Sequence, residues 1–207
     1  MSPAVKVFVV DDEHGVRKGL ERLFRAAGFE VETSASAEDF LTRSEGQEAG
    51  CLVLDYRLPG LDGLELQEVL AARESNWQVI FLTGRGDIPA TVQAMQAGAV
   101  DFLEKPADES LLLSAVRRAL HRATEAGAQK AALDAIRARV ATLSARERQV
   151  MEHVIKGRLN KQIAYSLGTA ERTVKVQRAA VMQKMGAKSV AELVRMAARI
   201  GIEPTST

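Results

Sequence analysis

The sequence predicts a doubly wound α/β domain with a five-stranded parallel sheet, then a long linker helix and a small all-α domain of four helices. Three observations carry this expectation. Short apolar runs alternate with amphipathic stretches through residues 1–123; helical spacing takes over from Leu111, and residues 142–207 hold no strand-like run; and the charge divides along the same line. Residues 1–123 carry 13 Lys and Arg against 20 Asp and Glu, a net −7, whereas residues 124–207 carry 15 against 7, a net +8. An acidic half joined to a basic half points to two kinds of partner, the basic one fitting a nucleic acid.

In chain order, Val5–Val10, Cys51–Leu54, Val79–Leu82 and Val100–Leu103 are short and rich in β-branched or aromatic residues, as buried strands are, with Phe29–Thr33 as a weaker fifth. Val16–Ala27, Ala37–Ser44, Leu64–Arg73 and Pro89–Ala97 carry apolar residues at helical spacing, with Gly28 and Gly98 where helix-ending glycines belong. Strands alternating with helices imply a parallel sheet covered on both faces.

Leu113, Val116, Leu120 and Ala123 then follow helical spacing, and Leu133, Ile136, Val140 and Leu143 resume it after a break near Gly127. This predicts a long, partly interrupted helix across the linker, 124–141. It could pair with a second copy, or its first half could pack on the sheet while its second half is a loose tether. Beyond it, Ser144 and Glu147 form a capping box, Asn160 is a second cap candidate, and helices over about 171–185 and 190–200 follow. Tight glycine turns at Gly157, Gly168 and Gly186 separate them.

The 46% hydrophobic content suffices for packed cores. No apolar run approaches the roughly 18 residues of a membrane span. Acidic residues close behind the N-terminus argue against a secretion signal, and a single cysteine, Cys51, fits a reducing cytoplasm, where this chain is expected. Cys51 itself reads as core, His14 as a solvated helix start, and Trp77 as lying in a polar loop without a role. Gly84, Arg85 and Gly86 make no phosphate loop, lacking the glycine spacing and the following Lys.

Ligands of an open parallel sheet bind beyond the carboxyl ends of its strands. The residues ending the predicted strands are Asp11 with Asp12, Asp55, Thr83 and Lys105: three carboxylates, a hydroxyl and an ammonium on one edge. Crowded carboxylates repel unless a hard cation neutralises them, and oxygen-only ligands suit Mg²⁺. One carboxylate could then act as nucleophile toward a phosphoryl group, with Lys105 and Thr83 on its oxygens.

VFVVDDE, CLVLDYRLPGLDGLEL, FLTGRGD and FLEKP, in that order and spacing, resemble the receiver domain of two-component response regulators over about residues 5–121. The resemblance implies that Asp55 accepts a phosphoryl group from a sensor histidine kinase. It implies Asp12 as a direct Mg²⁺ ligand, Asp11 as a water-mediated one and the backbone carbonyl of Arg57 as a third. Thr83 and Phe102 fall at the hydroxyl and aromatic switch positions, and Lys105 at the phosphate-binding one. A cis bond before Pro106 is also implied.

Helices at about 160–167 and 171–185, joined by a glycine turn, make a helix-turn-helix candidate whose second helix carries many long polar side chains. The stretch 143–198 resembles the LuxR-type helix-turn-helix domain, and with the receiver it resembles the NarL/FixJ class. The resemblance places the 171–185 helix in the DNA major groove, with Lys175 and Val176 at base edges and Asn160, Lys161, Thr173 and Arg178 toward phosphates. It implies a phosphorylation-controlled regulator of transcription that binds double-stranded DNA, works on RNA polymerase and dimerises when phosphorylated. Ala170 stands where a serine commonly caps the recognition helix, and Gln177 and Ala179 also depart from relatives. Two alternatives remain: a phospho-switched adaptor whose helical domain binds protein, and a phosphatase using a strand-end Asp. The second wants another Asp two residues after Asp55, where this chain has Arg57.

Overall fold

The computed structural model describes residues 6–45, 49–84 and 88–202, with side chains throughout except at 88–90. Val5 of the first expected strand, and Arg85 and Gly86 of the glycine-containing loop, lie outside the described residues. The chain divides into two compact units, one within Met1–Ala128 and one within Gln129–Thr207.

In the first unit, β1 (Lys6–Val10), β2 (Val31–Ser34), β3 (Ala49–Asp55), β4 (Asn76–Thr83) and β5 (Asp101–Glu104) form one sheet in the order β2-β1-β3-β4-β5. Every pairing is parallel, as connections through α1 (His14–Ala26), α2 (Ala37–Arg43), α3 (Gly63–Ala72) and α4 (Ile88–Gln96) require. Alternate residues face opposite sides. Phe8, Val10, Leu52, Leu54, Val79 and Phe81 pack with α2, α3 and Ala94, while Val7, Val9, Cys51, Val53, Ile80 and Leu82 pack with α1 and the start of α5 (Glu109–Ala141). Both faces are covered, so the strands read as continuous apolar runs rather than as alternating ones. Each fully buried side chain of this kind contributes about 1.5–3 kcal/mol relative to exposure.

The chain order reverses between β1 and β3, which opens the crevice beyond their carboxyl ends. Gly63 fixes how closely α3 approaches there. A Cβ on it would lie 2.7 Å from the Asp55 carbonyl oxygen and 2.9 Å from the Phe81 ring.

Two expectations are corrected in this unit. Trp77 is not in a loop: it sits in β4, buried, with its ring 5.2 Å from Phe40 and 6.3 Å from Phe8. Its polar neighbours Asn76 and Gln78 are the half-exposed members of an alternating strand start, which mimics a loop in composition. The helix after Leu111 is not interrupted at Gly127, because α5 is continuous from Glu109 to Ala141. A glycine inside a helix costs about 1 kcal/mol against alanine, too little to break one held at both ends by packing. Leu112, Ala115, Val116 and Ala119 supply that packing on the sheet, and Ile136 and Val140, with Leu143 just beyond, supply it in the core of the second unit.

That second core is built by the end of α5 with α6 (Ala145–Ile155), α7 (Asn160–Ser166), α8 (Glu171–Met185) and α9 (Val190–Arg199), around Val150, Met151, Ile163, Val174, Val181, Met185 and Leu193. The Ser144 and Glu147 capping box is present, with the Ser144 amide donating to Glu147 Oε2 at 2.7 Å and the Glu147 amide to Ser144 Oγ at 3.2 Å. Asn160, expected as a cap, is instead the first residue of α7; Leu159 holds the N-cap position and has no acceptor to offer. Only the reverse half of a capping box exists there, the Leu159 amide donating to Gln162 Oε1 at 2.8 Å. Ala170 likewise holds the N-cap position of α8 with no side-chain cap, and Gly186 follows its end in the left-handed conformation at φ 64°.

Candidate functional site

The sheet topology gathers the residues expected at its edge. Asp11 directly follows β1, Asp55 and Thr83 end β3 and β4, and Lys105 directly follows β5. Asp11 and Asp55 are 1% and 7% exposed, and Thr83 is buried too, whereas Asp12 faces solvent. Carboxylate oxygens of Asp11, Asp12 and Asp55 lie within 4.8 Å of one another. That donor set, all oxygen with one open side, fits a hard divalent cation such as Mg²⁺.

Lys105 bridges the two buried carboxylates, its Nζ donating to Asp11 Oδ2 at 2.6 Å and to Asp55 Oδ2 at 2.7 Å. Burial pushes its pKa down, but the bonds to Asp11 and Asp55 outweigh burial and hold it above the ordinary lysine value. The ammonium thus stays charged and offsets part of the carboxylate repulsion. The remaining oxygens are also held: Asp55 Oδ1 accepts from the Arg57 amide at 3.0 Å, and Asp11 Oδ1 from the Glu13 amide at 2.9 Å. The Lys105 amide donates to the Thr83 carbonyl at 2.7 Å, and the Lys105–Pro106 bond is cis, as the resemblance implied.

Phe102 is half-buried in β5 beside Phe81 of β4, ring centroids 5.8 Å apart, with Tyr56 at 6.0 Å. Three supports escaped sequence reasoning. Arg17 of α1 donates to the Asp11 carbonyl at 2.5 Å, and Glu38 of α2 accepts the Leu61 amide at 3.1 Å, tying down the loop after Asp55. Gln67 of α3 donates to the Ala94 and Ala97 carbonyls at the end of α4, at 3.3 and 3.1 Å. The first is local, and the other two join elements distant in sequence that no local pattern marks.

In the second unit, α8 presents Thr173, Lys175 and Val176 to solvent, Val176 with 66% of its surface exposed. Val174, Val181 and Met185 on the opposite side are buried. Arg178 turns back to α7, its Nη1 donating to Asn160 Oδ1 at 3.0 Å, so two of the expected phosphate contacts are prearranged as a pair. Lys161 is exposed on α7. An uncapped α8 leaves its first amides without a side-chain partner, on an exposed face rich in cations.

Comparison with known proteins follows the same division. Residues 7–117, more than half of the chain, match the response regulator receiver domain. The chain belongs to the response regulators. Residues 141–197 match the bacterial regulatory proteins of the luxR family. The chain is 47% identical over 204 residues to the transcriptional regulatory protein FixJ of Azorhizobium caulinodans, covering 99% of this chain and 97% of that one. It is 40% identical over 194 residues to the response regulator protein TodT of Pseudomonas putida F1, covering 94% and 86%. Among solved structures, the response regulator StyR aligns at a TM-score of 0.86 with 46% identity, covering 95% of this chain and 99% of that one. Full-length FixJ from B. japonicum aligns at 0.58 with 44% identity, covering 96% and 98%. This response regulator is therefore of the FixJ class, a phosphorylation-dependent regulator of transcription with a receiver and a LuxR-type DNA-binding domain. Among the described residues, no helix is long and apolar enough to cross a membrane.

Proposed function

We propose that Asp55 is the phosphoacceptor and that a sensor histidine kinase in the cytoplasm is its donor. The observation that carries this reading is the convergence of Asp11, Asp12, Asp55 and Lys105 on one edge. In the transfer, an Asp55 carboxylate oxygen forms a bond to phosphorus while the bond from phosphorus to the kinase histidine nitrogen breaks. Asp11, Asp12, Asp55 and the Arg57 carbonyl would hold Mg²⁺, which would supply charge neutralisation for the carboxylates and the phosphoryl oxygens. Lys105, already 2.7 Å from Asp55, then binds a phosphoryl oxygen, and Thr83 binds another. The same groups catalyse the chain's own phosphorylation and dephosphorylation, and no other substrate is turned over.

The new charge draws Thr83 inward and Phe102 follows, so the surface of α4, β5 and α5 changes, including Thr91, Val92 and Met95. That surface then holds a second copy, and a dimer places two α8 helices on two half-sites of double-stranded DNA. Lys175 and Val176 read base edges; Asn160, Lys161, Thr173 and Arg178 hold phosphates; and the bound dimer acts on RNA polymerase. The domain limits for this cycle are 1–123 for the receiver, 124–141 for the linker and 142–207 for the DNA-binding domain. Molecular mass in solution, with and without a beryllofluoride phosphoryl mimic, tests the switch. Doubling with the mimic is expected; an unchanged mass together with unchanged affinity for selected DNA overturns it.

A further inference from the structure

The recognition helix α8 is held unequally along its length. Its first turn has no side-chain cap, and Lys175 and Val176, the residues assigned to base edges, are exposed. Its last turn is gripped by the end of the linker helix and the start of α6. Arg139 of α5 donates from Nη1 to the Met185 carbonyl at 3.0 Å. Lys184 donates to the Thr142 carbonyl at 3.3 Å and to Glu147 Oε2 at 2.6 Å.

The Arg139 contact is prepared from both sides. Met185 is the last residue of α8, so its carbonyl has no partner within the helix, and a cation there also meets the negative end of the helix dipole. On the other side, Gly186 leaves room for the guanidinium: a Cβ at that position would lie 3.0 Å from Arg139 Nη1 and 3.5 Å from Cζ. The left-handed φ there calls for a glycine, and the space of its missing side chain is what the arginine fills. Arg139 is itself exposed, while Val140 and Met185 beside it are buried. The contact therefore fixes a position more than it adds burial.

A lever makes this end of α8 matter for reading. Val176 lies about 14 Å along the helix axis from Met185, at about 1.5 Å per residue. A tilt of about 4° at the anchored end thus moves Val176 by about 1 Å. Directed contacts keep their geometry only within roughly 0.5 Å. Resting on the reading that α8 lies against DNA, we propose that Arg139 is a positioning residue for DNA recognition: by seating the end of α8 it sets how well the exposed face tells one sequence from another. Because α5 is continuous from Glu109, this seat belongs to the same helix whose first turns pack on the receiver sheet.

The experiment titrates the full chain, with beryllofluoride, against a DNA selected from a random pool and against random DNA. Several salt concentrations are used, at a temperature where melting curves show every variant folded. Arg139→Met keeps an unbranched apolar stem and removes the donors, and Arg139→Lys keeps a charged donor. Arg139→Met is expected to lose about tenfold of the wild-type preference for selected DNA, the scale of one misplaced base contact. The loss falls on selected DNA alone, with the affinity for random DNA and its salt slope unchanged, and Arg139→Lys recovers part of it. A wild-type preference in Arg139→Met, whatever its thermal midpoint, makes the contact a cap for stability alone and overturns the inference. An equal loss on both DNAs also overturns it; with a salt slope shallower by about 0.9, it makes Arg139 a phosphate contact. Lys175→Ala and Val176→Ala in the same titration separate the two failures. If both keep the wild-type preference, the reading of α8 falls and this inference with it. If they lose preference while Arg139→Met does not, this inference alone falls.

Discussion

In the receiver unit the reactive groups come from separate strand ends, with Asp11 and Lys105 in contact across 94 residues of chain, whereas the DNA face of the second unit comes mainly from one helix. In the first set Asp11, Asp55 and Thr83 are buried and Lys105 hydrogen-bonds both of those acids, with Asp12 at the open side; the second is exposed, with Thr173, Lys175 and Val176 all open to water. The difference follows from their tasks. A group that must take up a phosphoryl charge is best held by fixed dipoles and ions in a partly dry pocket, while side chains that read base edges must stay free to meet a partner. So the fold determines the role of each receiver residue, and the partner determines the roles along α8.

The largest expected effect lies in the receiver. Asp55→Asn removes the nucleophile but keeps the shape, so phosphoryl incorporation from a kinase or a small phosphodonor falls to background in a phosphate-affinity gel. The contacts of Lys105 with Asp11 survive, and the folded state persists. Incorporation that continues at the wild-type rate would move the acceptor elsewhere and dissolve the contrast between a fixed pocket and an open face.

Two glycines in helices sharpen the comparison further. Gly63→Ala drives a methyl group against the Asp55 carbonyl oxygen and the Phe81 ring, at 2.7 and 2.9 Å, and relief must come from the backbone that carries Asp55. Overpacking of that kind costs about 1–3 kcal/mol, read as a lower denaturant midpoint and slower phosphorylation. Gly127→Ala meets nothing within 4 Å and sits inside α5, so it should stabilise by about 0.5–1 kcal/mol. The same substitution thus takes opposite signs where the backbone is crowded by the site and where it is not.

On the DNA side, Lys161→Ala should weaken binding to all sequences alike and lower the slope of log affinity against log salt by about 0.9, as loss of one phosphate contact does. Lys175→Ala should instead reduce discrimination between selected and random DNA, by about 1–3 kcal/mol if it makes a full base contact. Titrations of both DNAs at several salt concentrations separate the two. Equal effects of both changes on specific and random DNA would remove the distinction between positioning and reading along this face.

Much of this was legible in the sequence because the signals were local. Continuous apolar runs marked the covered strands, and Asp55, Thr83 and Lys105 stood at or next to their ends. What escaped was set by contacts between distant elements. Trp77 looked like a loop residue because its partners Phe8 and Phe40 lie on other elements. Gly127 looked like a break because the packing that carries the helix past it lies toward its two ends. Asn160 looked like a cap by residue type, but the helix begins on it and its oxygen serves Arg178. Sequence names a group's chemistry sooner than its partner.

The smallest effect concerns Glu147, where the two units differ again in how they hold a charge. Lys105 in the receiver is shared by two buried acids, whereas the buried Glu147 has one partly exposed cation, Lys184 at 2.6 Å, while also accepting the Ser144 amide. The Lys184 ammonium first, and the Ser144 amide second, hold the Glu147 carboxyl below its ordinary range. Because the folded state lowers this pKa, the stabilisation is present above the ordinary glutamate value and is lost as pH falls through the folded one. Glu147→Gln keeps an acceptor for the Ser144 amide and removes only the charge. The thermal midpoints of wild type and variant should therefore differ at neutral pH and converge on acidification. Added salt should narrow the neutral-pH gap, since the Lys184 partner is partly exposed. A gap that persists unchanged into acid would assign the effect to packing of the capping box and not to the ion pair.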